Sequence, residues 1–359
     1  MRTPKLAARS VRLLAAPLLL AGAGAGVAHA APAAARATGG ILHGVAATSA
    51  SNAWAVGSTA SGDGALILHW TGKTWRRIPR TGAGASSTLQ SVAATSARNV
   101  WAVGSARGRA LILHWNGRTW KRVASPEPGG SLSSVAAVSA SGAWAVGVTG
   151  GSKTLIMRWN GTTWKRVPSP SPGVGAALTG VAASSARSAW AVGYTAINKL
   201  GSMKALALRW NGRAWKQVPS ARPAGSILFG VAAVSARSTW ASGCGGCEGG
   251  PNLGLIERWN GSSWKQVPSA APAFSYLAGL AAVSARSAWA VGYTFPLSTG
   301  VRTLIVHWNG TAWKKVPSAA PARSQLFGVA AVSARSAWAV GQSGSGTTLI
   351  LHWNGTVWK

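Results

Sequence analysis

Residues 91–120 carry the pattern that decides the architecture. They read Ser91-Val-Ala-Ala-Thr-Ser-Ala-Arg-Asn-Val-Trp-Ala-Val-Gly104 and, after a short variable stretch, Leu111-Ile-Leu-His-Trp-Asn-Gly-Arg-Thr-Trp120. The unit recurs along the chain. Trp-Ala-Val-Gly begins at Trp54, Trp101, Trp144, Trp190, Trp289 and Trp338, with a Trp-Ala-Ser-Gly variant at Trp240, at spacings of 47, 43, 46, 50, 49 and 49 residues. Each copy holds three tryptophans, which accounts for all 21 in the 359-residue chain. A period of this length marks a repeat architecture, in which a unit buries its apolar faces only against its neighbours.

Each unit reads as four short strands. The first is Leu-x-Gly/Ser-Val-Ala-Ala, as at Leu178 to Ala183, and the second is the Trp-Ala-Val-Gly segment. The third is aliphatic and ends at a Trp, as in Leu304 to Trp308; the fourth runs Trp-Lys-x-Val, as at Trp313 to Val316. Asn-Gly joins the last two in six units and Thr71-Gly72 in the first, which predicts a type I′ hairpin turn with positive φ at both residues. Four strands per unit and seven units predict an all-β, seven-bladed β-propeller. The Val-Ala-Ala strand suits the crowded axis. The Trp-Lys strand suits the rim, where Pro168, Pro219, Pro268, Pro317 and a basic residue after the Trp guard the edge. The terminal units resemble the rest, so a closed ring is expected, with blades 7 and 1 meeting face to face and no strand exchanged.

The run from Ser91 to Trp120 resembles the BNR/Asp-box propeller repeat, in particular the photosystem II assembly factor type, and more loosely the kelch and galactose-oxidase-like propellers. The resemblance spans about residues 41–359 and implies the propeller fold. The turn is Asn-Gly here, and the Asp that names the Asp-box is absent from every unit. Sialidase activity, known elsewhere among Asp-box proteins, needs a carboxylate pair, an arginine cluster and a nucleophilic Tyr, a constellation this sequence does not supply.

The N-terminus predicts the compartment. Arg2, Lys5, Arg9 and Arg12 precede an apolar run from Leu13 to Val27, and Ala28-His29-Ala30 offers small residues to a signal peptidase. Residues 1–30 are therefore expected to be a signal peptide cleaved after Ala30, residues 31–40 a linker, and residues 41–359 a secreted propeller. The run is shorter than the roughly 20 residues a membrane-spanning helix needs, and no second one follows, so no transmembrane segment is expected in the mature chain. The formal charge of +32 becomes +28 once the four basic residues of the leader are removed. Such a surface attracts polyanions and resists self-association, which points to a monomer that engages an anionic cell-envelope polymer or a protein partner. No nucleic-acid motif and no cofactor motif is present. A lectin-type propeller that binds carbohydrate is the alternative, and a hydrolase is a third reading.

The titratable residues argue against catalysis. Only four acids exist: Asp63, Glu127 and Glu248 fall in variable stretches and Glu257 adjoins Arg258. His69, His114, His307 and His352 precede the third-strand Trp of four different blades, where the other blades have Arg158, Arg209 and Arg258. Rotation about the axis should hold these histidines too far apart to share a metal ion, so no metal is expected. Cys244 and Cys247 are expected to form a disulfide in an exported chain. Ser-Ala-Arg turns place Arg98, Arg187, Arg237, Arg286 and Arg335 in a basic ring.

Loop lengths separate the two faces. The first-to-second and third-to-fourth connections are constant and share one face. The second-to-third connections vary, and the longest belong to blades 4 to 6. Variable loops on a rigid scaffold commonly carry binding, so Tyr194, Lys199, Lys204, Tyr293, Phe295 and Arg302 are the candidate ligand-binding residues.

Overall fold

A computed structural model describes residues 39–127, 129–198, 202–222, 224–247, 252–296, 298 and 300–359. The signal-peptide and cleavage expectations for residues 1–30, most of the linker, Lys199 and Glu248 lie outside the described residues.

Seven separate antiparallel sheets follow one another along the chain, each in simple up-and-down order. In blade 1 the strands are Gly40–Ser49, Asn52–Thr59, Ala65–Trp70 and Trp75–Arg77. Blade 7 has Gln325–Ser333, Ser336–Gln342 and Thr348–Trp353. Its fourth strand shrinks to the end of the chain, where Lys359 N donates to the His352 carbonyl (3.1 Å) and His352 N to the Lys359 carbonyl (2.8 Å).

The Val-Ala-Ala strands converge on the axis, as their small side chains require. A Cβ at Gly44 would lie 2.9 Å from Ser91 Cα in the next blade, and one at Gly328 would lie 2.7 Å from the His43 carbonyl oxygen. In blades 2 and 3 the equivalent serines are used instead: Ser91 Oγ accepts from Val135 N (3.2 Å) and Ser134 Oγ from Val181 N (3.1 Å).

The core lies between blades. Each apolar cluster combines residues of two neighbouring sheets, as where Trp54, Val56 and Ile67 of blade 1 meet Leu89, Leu111, Leu113 and Trp120 of blade 2. The second-strand Trp of every blade is buried and touches the third- and fourth-strand Trp of the next. Trp54 lies 5.1 Å from Trp115 and 5.3 Å from Trp120, the latter edge-on. The same triad closes the ring, with Trp338 of blade 7 at 5.1 Å from Trp70 and 5.2 Å from Trp75 of blade 1. Each such ring pair contributes about 0.5–1.5 kcal/mol beyond the area it buries. Closure therefore needs no exchanged strand; the Gly40 N to Gly346 O hydrogen bond (3.1 Å) completes it.

The third-to-fourth turns differ from the expected type I′ geometry. Only the glycine has positive φ, as at Gly117 (96°) and Gly310 (101°), while the asparagine keeps an ordinary backbone. The reason is local: Asn116 Oδ1 accepts from the N–H of Arg118 and of Thr119, both at 3.0 Å, so a side-chain oxygen organises a four-residue loop.

Candidate functional site

A backbone irregularity builds the most distinctive site. In each blade the first strand skips one residue in its pairing with the second, between Leu42 and Gly44 in blade 1 and at the equivalent place in the others. A bulge of this kind re-aims the side chain of its extra residue. The bulged residues are His43, Gln90, Ser133, Thr179, Phe229, Ala278 and Phe327, and together they line a cavity of about 210 Å³ on the axis. The column just before it is always Leu and the column just after it is Gly or Ser, whereas this one changes from blade to blade. The result is lopsided: blades 1 to 4 supply imidazole, carboxamide and hydroxyls, and blades 5 to 7 supply two phenyl rings and a methyl.

The apolar side continues toward the variable-loop face. Phe229 lies 6.2 Å from Tyr276, Tyr276 stacks on Tyr293 at 5.3 Å, and Tyr293 meets Phe327 edge-on at 6.2 Å. These four rings form a continuous arc across blades 5 to 7. Phe295 stacks on Tyr276 at 5.5 Å and Phe274 touches Phe295 at 6.1 Å, so all four phenylalanines of the chain belong to this cluster. All of these side chains are half-buried rather than enclosed. Burial, with the neighbouring Tyr276 phenol, pushes the Tyr293 hydroxyl above its ordinary value, and burial holds the His43 imidazole below its own. On the polar side Thr179 Oγ1 donates to the Leu228 carbonyl at 2.6 Å. His43, Gln90 and Ser133 make no side-chain hydrogen bond among the described residues.

The expected binding residues fall in two places. Tyr293 and Phe295 join the aromatic arc. Tyr194, Lys204 and Arg302 do not, and they differ from the expectation in another way: they sit on strands rather than in free loops, as does Tyr293. Tyr194 pairs with Ala177 and Ala205, Lys204 with Thr195, and Arg302 with Thr294. The second and third strands of blades 5 and 6 have 8 and 7 residues, as in blade 2, and those of blade 4 have 9 and 8, so these side chains occupy ordinary ladder positions and most of the extra residues lie in the connections beyond them. Cys244 is likewise a buried strand residue, paired with Ile227 and Gly254 and disulfide-bonded to Cys247 in the following turn. The five turn arginines project from the opposite, constant face. Each backbone N–H caps the preceding serine hydroxyl, as Arg98 N does to Ser96 Oγ (3.2 Å), and the stem covers the turn glycine of its own blade.

Cations also line grooves around the variable face. Arg107, Arg109 and Arg122 surround one in blade 2, and Arg302 and Lys315 another in blade 6. The acids are dispersed. Glu127 pairs with Arg166 at 3.0 Å, the one ion pair among the described residues. Asp63 is exposed and held by its own turn, accepting from Ser61 Oγ (2.6 Å) and Thr59 Oγ1 (3.0 Å), bonds that lower its pKa. Glu257 occupies a core position that is Leu, Met or Val in the other blades. It is fully buried, and its Oε1 accepts from Ser220 Oγ (2.6 Å) and Arg222 N (2.9 Å). The third-strand histidines cap the Trp clusters: His69 stacks on Trp54 at 3.9 Å and His114 on Trp101 at 4.2 Å. Arg158, Arg209 and Arg258 do the same work by cation–π contact, as Arg258 does 4.9 Å from Trp240.

The bulge column was missed by reasoning from periodicity. Its signal is present in the aligned units, as one variable position between an invariant Leu and a small residue.

No protein-family profile and no curated protein matches the chain. Among solved structures it is similar to YCF48 bound to D1 peptide, at 17% identity over 88% of this chain and 93% of that one, with a TM-score of 0.58. It is similar to the BP39L lectin from Burkholderia pseudomallei, at 14% identity over 89% and 99% of the two chains, TM-score 0.57. The GH74 xyloglucanase from Xanthomonas campestris shares 16% identity over 90% of this chain and 54% of that one, TM-score 0.60. Likeness at these identities concerns the fold, which the neighbours put to both binding and enzymatic use. The chain is a seven-bladed β-propeller.

Proposed function

We propose that this is an exported, non-catalytic binding propeller whose variable-loop face engages an anionic polymer of the cell envelope. The observation that carries the reading is the blade 2 groove, where Arg107, Arg109 and Arg122 converge with no carboxylate partner among the described residues. Uncompensated guanidinium groups lining one concavity suit bidentate contacts to carboxylate, sulfate or phosphate groups. The non-catalytic part is supported by the dispersal of the described acids: Asp63 is bound to its own turn, Glu127 to Arg166, and Glu257 is sealed beneath Ser220. Export is supported by the composition of residues 1–30.

Retention of the purified protein on immobilised dextran sulfate tests the reading. Retention is expected at low salt, and it should be lost as ionic strength rises toward about 1 M, where the screening length contracts to about 3 Å. The double variant Arg109→Glu/Arg122→Glu should elute markedly earlier. Retention indifferent to both salt and charge reversal would overturn the proposal. N-terminal sequencing of protein recovered from culture medium should begin at Ala31.

A further inference from the structure

We infer that the axial mouth is a subsite for one uncharged sugar ring, seated on the arc of Phe229, Tyr276, Tyr293 and Phe327 with its hydroxyls turned toward His43 and Gln90. The inference deepens the binding reading by naming a second class of contact, and it stands on different residues from the cationic groove.

Charge is the first indication. In a chain of net charge +32, no Lys, Arg, Asp or Glu lines the axial cavity. A site selected for anionic groups would use the cations abundant elsewhere on this surface. The second is asymmetry. A pyranose ring presents a face of C–H bonds and an edge of hydroxyls, so it needs aromatic surface on one side and hydrogen-bonding groups on the other. The bulge column supplies that division, with phenyl rings from blades 5 and 7 on one side and imidazole, carboxamide and hydroxyls from blades 1 to 4 on the other, the two sides meeting where His43 lies 5.8 Å from Phe327. The third is unused capacity. His43 and Gln90 are half-buried, have no hydrogen-bond partner among the described residues and keep their side-chain polar atoms open to the cavity, where a ligand's hydroxyls can pair with them. The fourth is space. Ala278 stands between Phe229 and Phe327 in ring order, so the smallest side chain of the bulge column lies between its two phenyl rings.

A tyrosine side chain from a protein partner would satisfy the aromatic half but would leave the polar half largely unpaired. Ring-by-ring pockets between blades are a poorer fit, because the tryptophans there are consumed by packing: the seven second-strand indoles are at most 1% exposed.

The experiment is calorimetric titration of the purified protein with neutral monosaccharides and their short oligomers, alongside N-acetyl-tyrosinamide. Saturable binding of at least one sugar is expected, unchanged by added salt and abolished by Ala278→Trp, which sets an indole into the cavity between Phe229 and Phe327. Phe327→Ala should weaken it by about tenfold, the equivalent of one aromatic contact. Unchanged melting temperatures would show that both variants fold. The variant Arg109→Glu/Arg122→Glu should keep sugar binding while losing polyanion retention, so failure of either reading is seen separately. Absence of sugar binding by the wild-type protein, sugar binding that survives Ala278→Trp, or preferential binding of N-acetyl-tyrosinamide at this site would overturn the inference.

Discussion

Trp338→Ala tests whether the ring is closed by packing alone. Trp338 is 1% exposed, lies 5.1 Å from Trp70 and 5.2 Å from Trp75, and carries His352 over its own ring at 4.1 Å. Trp54, at an interior interface, is its close match: fully buried, 5.1 and 5.3 Å from Trp115 and Trp120, with His69 stacked at 3.9 Å. Truncating a buried Trp to Ala costs about 3–5 kcal/mol, of which the two lost ring pairs supply roughly 1–3 kcal/mol. A closed ring has no ends, so the two variants should lose the same stability within about 1 kcal/mol. An open stack would leave Trp338 on a terminal face, where substitution costs only about 0.5 kcal/mol. Guanidinium unfolding measures the difference, followed by both fluorescence and far-ultraviolet circular dichroism, since coincident transitions license the comparison. A Trp338→Ala penalty below about 1 kcal/mol beside a full penalty for Trp54→Ala would refute the closure argument.

Acid should destabilise the fold through the capping histidines. Burial holds the imidazoles of His69, His114, His307 and His352 below the ordinary value of 6.5. The unfolded chain therefore binds more protons, and the stability these groups contribute is present above pH 6.5 and lost as pH falls through their folded values. The melting temperature should drop between about pH 7.5 and pH 5, and replacing His307 by Arg, the residue blades 3 to 5 use there, should shrink that drop; an unchanged profile would count against it. Glu257→Ala should cost about 2–5 kcal/mol, since it opens a cavity and strips Ser220 and Arg222 N of their acceptor. Glu257→Gln keeps a carbonyl oxygen in place and should cost less than about 1 kcal/mol by the same denaturation assay.

Much of the architecture is legible in the repeat itself. Six Trp-Ala-Val-Gly segments and one Trp-Ala-Ser-Gly variant at regular spacing imply seven blades, the small Val-Ala-Ala strand implies the axis, and constant against variable connections distinguish the faces. These follow because strand alternation and turn chemistry are local properties, repeated often enough to average out exceptions. Other features were misread for equally physical reasons. Tyr194 and Arg302 look like loop residues because the hairpin ladder runs on past the Trp-Ala-Val-Gly glycine, and residue counts do not show where pairing stops. The Asn-Gly turn looks like type I′ because the asparagine side chain's capture of two N–H groups is invisible in a dipeptide.

Composition, period and strand order were determined by the sequence alone. The tertiary structure decided which residues meet. His43, Gln90 and Phe327 are separated by tens or hundreds of residues and share a cavity only because a one-residue bulge turns each of them inward and the closed ring brings all seven bulges to one axis. In the sequence Glu257 is only the neighbour of Arg258; the fold buries it in the interface with blade 4, against Ser220 and Arg222 N. Register and closure are collective properties of the whole ring, and no single unit contains them.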